Sequence, residues 1–198
     1  AAEDAIADLD QVLERFAALL RISELESQNR RAGFGPVDLA RLVEEGVELY
    51  GPLAEESGVR LTGAADAGAV VEGDGRLLFE ALGNLVDNAI KFSPPGTQVE
   101  VAARARPEGA VLSVRDHGPG VAAAEREAVL RRFHRGPAPG GEGHGLGLSL
   151  VAAIVRLHHY ALRLEDAAPG LRVVLCCWTH AEAERPPAGE VKFISLGR

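Results

Sequence analysis

Methionine is absent from all 198 residues, and cysteine occurs only as the neighbours Cys176 and Cys177. A chain that lacks Met and opens Ala-Ala-Glu-Asp retains no initiator, which predicts a fragment or processed form with room upstream for a signal peptide or membrane anchor. Adjacent cysteines on a strand point to opposite faces, so they staple nothing, and such usage suits a reducing cytoplasm. No apolar run approaches the roughly 18 residues a membrane span needs. Asp and Glu outnumber Lys and Arg by 29 to 21, a net charge of -8. That balance disfavours a nucleic-acid partner, because phosphate backbones are met by clustered cations. No Ser-His-Asp arrangement is present, and His158, His159 and His180 lack a second cluster at metal-ligand spacing, so they read as structural or exposed.

What the chain does contain suits one full core plus an extra element. Ile6, Leu9, Leu13, Phe16 and Leu20 recur at spacings of 3, 4, 3 and 4 among charged positions. This is a coiled-coil-like seam, for dimerisation through a bundle or for packing on its own domain. Gly33-Phe34-Gly35-Pro36 interrupts it as a hinge. The expected elements then follow in order. Val37 to Ser57 reads as a helix with apolar positions at Leu39, Leu42, Val43, Val47 and Leu49. Val59 to Leu61 and Val70 to Glu72 read as strands. A helix N-capped by Asp74 runs to Pro94-Pro95-Gly96, and the strands Gln98 to Arg104 and Ala110 to Arg115 form an antiparallel pair. Glu125 to Phe133 reads as a short helix and Gly136 to Gly143 as a mobile lid. Leu146 to Leu157 is the last helix, before a hairpin of Leu162 to Leu164 and Leu171 to Leu175 turned by Pro169-Gly170. Helices gathered on one face of a mixed sheet are implied, an α+β domain.

Three motifs carry chemistry. On the helix after Asp74, Glu80, Asn84, Asp87, Asn88 and Lys91 line one side at three-and-four spacing. Asparagine is a poor helix former, by about 0.5 kcal/mol against alanine, so two in mid-helix invite a reason beyond solvation, although a solvated face is the plain alternative. Lys91 offers phosphates a point charge. Asp116-His-Gly118-Pro-Gly120 ends a strand, where a carboxylate can accept from an exocyclic amine while glycines let backbone approach a flat ring; an ordinary Asp-Gly turn is the other reading. Gly143-His-Gly145-Leu146-Gly147-Leu148 opens a helix, and a glycine-rich helix entry presents free N–H groups and a positive dipole end to phosphates. It is not a P-loop, since no Gly-Lys-Ser/Thr follows, and Leu148 occupies the last glycine's place in a dinucleotide fingerprint. A plain flexible loop is the alternative there.

In combination, order and spacing these motifs resemble the catalytic and ATP-binding domain of sensor histidine kinases, in the Bergerat ATPase/kinase superfamily. The resemblance runs from the first residue to about Trp178. It implies a two-layer α/β sandwich, the Bergerat fold with a mixed, mostly antiparallel sheet, preceded by a coiled-coil-like dimerisation helix. It divides the chain into the second helix of a dimerisation and phosphotransfer hairpin (1–32), a hinge (33–36), the kinase domain (37–180) and a tail without assigned role (181–198). The implied ligands are ATP and Mg²⁺, with Asn88 giving its carbonyl oxygen to the metal, Asn84 one turn earlier, and Asp116 bonding the adenine amino group beside Gly118 and Gly120. Gly143, Gly145, Leu146, Gly147 and Leu148 match the second glycine box. Arg131 to Arg135 is similar to the phenylalanine box, with Leu130 in place of its first aromatic; Phe133 anchors the lid, while Arg132 and Arg135 are in reach of the terminal phosphates.

The implied partners are a second copy through the N-terminal helix and a response regulator's receiver domain; the implied location of this chain is the cytoplasm, with membrane contact only through a region upstream of it. His117 stands where the family usually has Asn. Two other classes remain at this stage. A Bergerat ATPase needs a glutamate where Asn84 stands, with Glu80 one turn further back as a substitute, and a catalytically idle nucleotide-binding dimer module would tolerate His117 and Leu130.

Overall fold

A computed structural model describes Leu20, residues 33–131 and residues 146–178. The expectations for the N-terminal seam apart from Leu20, for Arg132 to Gly145 including the lid, and for the tail fall outside those residues.

The helix carrying the asparagines, here α2, is built as its sequence demands. Before it come β1 (Gly35–Asp38), α1 (Leu39–Glu56), β2 (Arg60–Ala65) and β3 (Val70–Gly73), and α2 itself spans Gly75–Phe92. Asp74 caps it, its Oδ1 accepting from the main-chain N–H groups of Arg76 at 3.0 Å and Leu77 at 3.1 Å. Leu78, Ala81, Leu82, Leu85, Val86, Ala89 and Ile90 are buried, whereas Asp87 and Lys91 are exposed and Asn84 and Asn88 half-buried. One face is therefore core and the other is free for a site.

Beyond α2 lie β4 (Gln98–Arg106), β5 (Gly109–Arg115), a 3-10 turn (Ala128–Leu130), α3 (Gly147–Leu157), β6 (Ala161–Asp166) and β7 (Leu171–Cys177). Five strands form one sheet in the order β2-β4-β5-β7-β6, with β2 parallel to β4 and every other neighbour antiparallel. Alternate side chains, among them Val99, Val101, Leu112, Val114, Leu162, Leu164, Val173 and Leu175, join the helices in one core cluster. This is the expected two-layer α+β sandwich with helices on one face, its sheet mixed and mostly antiparallel.

Three local expectations are corrected. The first helix starts at Leu39 rather than Val37, because Pro36 and Val37 pair with Glu72 and Val71 of β3 and Asp38 caps α1 through the Ala40 N–H at 2.9 Å. Leu49 is 59% exposed instead of facing the core. It lies about 200° around the helix from Val47, at about 100° per residue, and so leaves the buried stripe. The expected helix over 125–133 is, in its described part, only turns and the 3-10 turn. Arg131 adopts ψ 150°, which is extended and stops any helix there.

Asp74→Ala should lower stability by about 1 kcal/mol through loss of the cap, whereas Asp74→Ser should recover most of it. Urea unfolding of the three proteins, read as midpoint shifts at constant slope, checks this.

Candidate functional site

The first and third motifs meet at the start of α3. A Cβ placed on Gly147 would lie 3.0 Å from Asn88 Nδ2 and 3.2 Å from Asn84 Oδ1, so the helix entry is seated on both amides. Asn84 is held from behind, its Nδ2 donating to the Glu80 carbonyl at 2.8 Å. Leu146 caps α3 and is buried, its carbonyl accepting from the Ser149 hydroxyl at 2.8 Å, while Leu148 is half-buried. Lys91 is exposed in the last turn of α2.

The second motif meets the C-terminal end of α2, one turn beyond Asn88. A Cβ on Gly118 would come within 2.5 Å of the Phe92 carbonyl oxygen, which leaves space for glycine alone. Asp116, at the end of β5, is buried. Its Oδ1 accepts from the N–H groups of Gly118 at 2.8 Å and Leu171 at 3.1 Å, and its own N–H donates to the Leu171 carbonyl at 2.9 Å. Burial pushes this carboxyl above its ordinary pKa, against the opposing pull of those two N–H bonds. Gly170 (φ 99°) lies so close to the Asp116 carbonyl that a side chain would strike it, and Gly120 (φ 72°) lies against Gly170. The Leu171 N–H and Gly170 were read in the sequence only as parts of a hairpin. Their Pro-Gly signal was visible, but its pairing with Asp116, 55 residues away in the chain, was not.

His117 turns elsewhere. Its Nδ1 lies 2.6 Å from the Gln98 carbonyl and therefore donates to it, and the ring lines an open groove with Glu55, Arg60 and Thr97. His158 is buried: its Nε2 accepts from the Asp74 N–H at 3.0 Å, its Nδ1 lies 2.8 Å from the Ile154 carbonyl, and its ring stacks on Phe34 at 4.6 Å. Accepting at one nitrogen and donating at the other makes it the neutral Nδ1–H tautomer, a structural histidine. Arg132, Phe133, Arg135, Gly143 and Gly145 lie outside the described residues. Among the described residues no group of three or more His, Cys, Asp or Glu is placed to hold a metal, and no helix is long and apolar enough to cross a membrane.

The chain as a whole is similar to known proteins. Residues 73–182 match the family of histidine kinase-, DNA gyrase B- and HSP90-like ATPases. The chain is 38% identical over 174 residues to the sensor protein kinase PmrB of Pseudomonas aeruginosa, covering 86% of this chain and 36% of that protein. Among solved structures, the mycobacterial sensor histidine kinase MprB is 33% identical with a TM-score of 0.64, over 73% of this chain and 96% of that one. Full-length ShkA, solved in complex with AMPPNP, aligns with a TM-score of 0.75 at 26% identity, over 86% of this chain and 36% of that one. The chain thus belongs to the histidine kinase-like ATPase family and carries the ATP-binding catalytic domain of a sensor histidine kinase. It spans little more than a third of PmrB and 43% of the sensor-like histidine kinase SenX3 of Mycolicibacterium smegmatis.

Without nucleotide, Asp116→Asn should gain stability relative to the parent as pH rises. Near and below the ordinary carboxyl pKa of 3.8 both proteins carry a neutral group at this position. Above it the parent's unfolded chain releases its proton first, because the folded-state pKa is raised, so the parent loses stability until the folded pKa is passed and the difference levels off. Urea midpoints from pH 3.5 to 7 test the direction, and a constant difference would contradict it.

Proposed function

We propose that this chain binds Mg-ATP and transfers the γ-phosphoryl group to a histidine on a helical hairpin outside it, for onward transfer to an aspartate of a response regulator. The observation that carries this reading is the convergence of Asn84, Asn88 and Gly147, with Asp116 and Gly118 at the C-terminal end of the same helix. The residues fit the nucleotide. Asp116 commits Oδ1 to two N–H groups, so Oδ2 serves as acceptor for an exocyclic adenine amine. The start of α3 offers N–H groups and a positive dipole end to the phosphates. They also fit magnesium, which favours one or two protein oxygens plus phosphate oxygens. Asn88 meets Gly147 through its amide nitrogen, and its carbonyl oxygen would hold the metal. Bound Mg²⁺ would neutralise charge on the phosphates. Lys91, Arg132 and Arg135 add further positive charge, and Phe133 anchors the lid.

Asn84 favours transfer over hydrolysis. An amide cannot take a proton from water, and its nitrogen is already bonded to the Glu80 carbonyl. In this reading residues 1–32 form the second helix of the hairpin and dimerise, 33–36 link it to the kinase domain over 37–180, and no nucleic acid is bound. The chain works in the cytoplasm, with any membrane anchor upstream.

Asn88→Ala and Asp116→Asn should each weaken binding of a fluorescent ATP analogue by roughly ten- to a hundredfold, the loss of a hydrogen bond or ligand to a charged group. Chelating Mg²⁺ should weaken the parent more than Asn88→Ala. Unchanged affinity in both variants, with unfolding midpoints intact, would sink the site assignment.

No histidine precedes His117, so the N-terminal helix holds no acceptor. His117 is turned to Gln98, away from the in-line approach at about 3 to 3.5 Å that transfer requires. The chain alone should acquire no acid-labile, base-stable label from γ-labelled ATP, and adding a histidine-bearing hairpin should place label on that hairpin. Stoichiometric labelling of the chain by itself would refute an external acceptor.

A further inference from the structure

β2 is an edge strand, and its free side is bare. It pairs in parallel with β4 on one side and with no other described strand. The Arg60 N–H donates to the Thr97 carbonyl and the Asp66 N–H to the Ala103 carbonyl, each at 2.9 Å. Main-chain groups alternate in direction along a strand, so Arg60, Thr62, Ala64 and Asp66 bond to β4 while Leu61, Gly63 and Ala65 turn their N–H and C=O groups outward. Among the described residues no partner meets those three. Gly63, Ala64 and Ala65 are exposed, whereas β6, at the other edge of the sheet, is buried from Ala161 to Leu164. Edges are ordinarily blunted by lysine, proline or a bulge. The run from Leu61 to Ala65 contains neither residue, and its register with β4 is unbroken.

The helix layer gives this edge a negative rim. A Cβ on Gly63 would lie 2.9 Å from Val43 Cγ1 and from Val47 Cγ2, so this part of α1 sits on β2, while Gly46 and Tyr50 of the same helix meet Leu82 and Gly83 of α2. At about 100° per residue, Glu44, Glu48 and Glu55 fall within about 40° of one another, on the side of Val43 and Val47 turned away from α2. They overhang the free side of β2. All three are exposed, and none forms an ion pair with a described residue. On the other face of the strand charge is balanced: Arg60 stands at one end, and at the other Asp66 bonds Arg104 at 2.8 Å.

We propose that this edge takes an extended basic segment of another protein as an added strand. The backbone of that segment bonds Leu61, Gly63 and Ala65, and its alternate Lys or Arg side chains meet Glu44, Glu48 and Glu55. Main-chain bonds supply the attachment and the rim selects the charge. A second copy is disfavoured, because pairing two β2 edges antiparallel about Gly63 sets the two glutamate rims side by side. The inference is independent of nucleotide binding.

The probe is the acetylated, amidated peptide Thr-Lys-Thr-Lys-Val-Lys-Thr, titrated into the full isotope-labelled chain. Solvent-exchange NMR should show protection gained at the Leu61, Gly63 and Ala65 amides and unchanged at Thr62 and Ala64, which already bond to β4. Attraction between charges alone does not produce that period of two. Glu44→Lys/Glu48→Lys, at two exposed positions, should weaken peptide binding at least about tenfold, and so should Glu in place of every Lys in the peptide. Ala65→Pro removes one outward N–H at an edge position where proline is tolerated, and should abolish the protection with the unfolding midpoint kept. Should that variant unfold, the glutamate variants decide. Absence of protection at the three amides, or equal affinity for the basic and acidic peptides, would overturn the proposal. So would the same protection arising without peptide and growing with protein concentration, which marks a second copy as the occupant.

Discussion

A Cβ on Gly147 would lie 3.0 Å from the Asn88 amide and 3.2 Å from that of Asn84, closer than most side chains come, so the start of α3 is seated tightly on both. Those amides do not choose their own position. They project from a helix whose opposite side is locked into the core by Leu82, Leu85, Val86 and Ala89, and a close-packed interior shifts little without cost. The height and rotation of α2 are thus set by apolar packing, and the start of α3 is set by α2. A side chain at position 147 would require those amides or α3 to give by a few tenths of an ångström. Packing energy, distributed over many carbon contacts, is converted into the placement of a few polar atoms.

Asp116 is governed by a different kind of constraint. A carboxylate removed from water is costly unless its oxygens are met by donors. Here the donors are main-chain N–H groups, one from its own loop and one from Leu171 at the start of β7. The loop of 116–120 is consequently fastened to the sheet at one end and wedged against the C-terminal end of α2 at the other, through Gly118 and Phe92. His117, between two such fixed points, turns the opposite way and bonds the Gln98 carbonyl. The His117 side chain therefore makes none of the hydrogen bonds that hold Asp116.

Local rules made much of this legible. The Asp74 cap, both hairpins, the polar side of α2 and the glycine that opens α3 were visible because each depends on residues within a turn or two of itself. The missed features depend on distant partners. Val37 forms a strand rather than a helix because β3 is there to pair with it, which no window around Val37 reveals. The Leu171 N–H serves Asp116 across a long stretch of chain. β7 is the case in which the signal was present and passed over. Val173 to Trp178 is an unbroken apolar run, the pattern of a strand buried on both faces, yet a two-layer fold leads one to expect covering on only one.

The neutral His158 ties the far ends of the same two helices. It follows the last turn of α3, and its Nε2 accepts the N–H of Asp74, the residue that caps α2. α3 is therefore joined to α2 at both of its ends: by contact of Gly147 with the amides in the body of α2, and by a hydrogen bond at the start of α2. Two separated contacts thus set the position of one helix against the other. Phe34 stacks on that same imidazole and leads directly into β1, while Tyr160 on the other side bonds the Glu72 carbonyl of β3. Residue 33 is thus one position from the side chain that stacks on the ring bonded to the capping residue of α2.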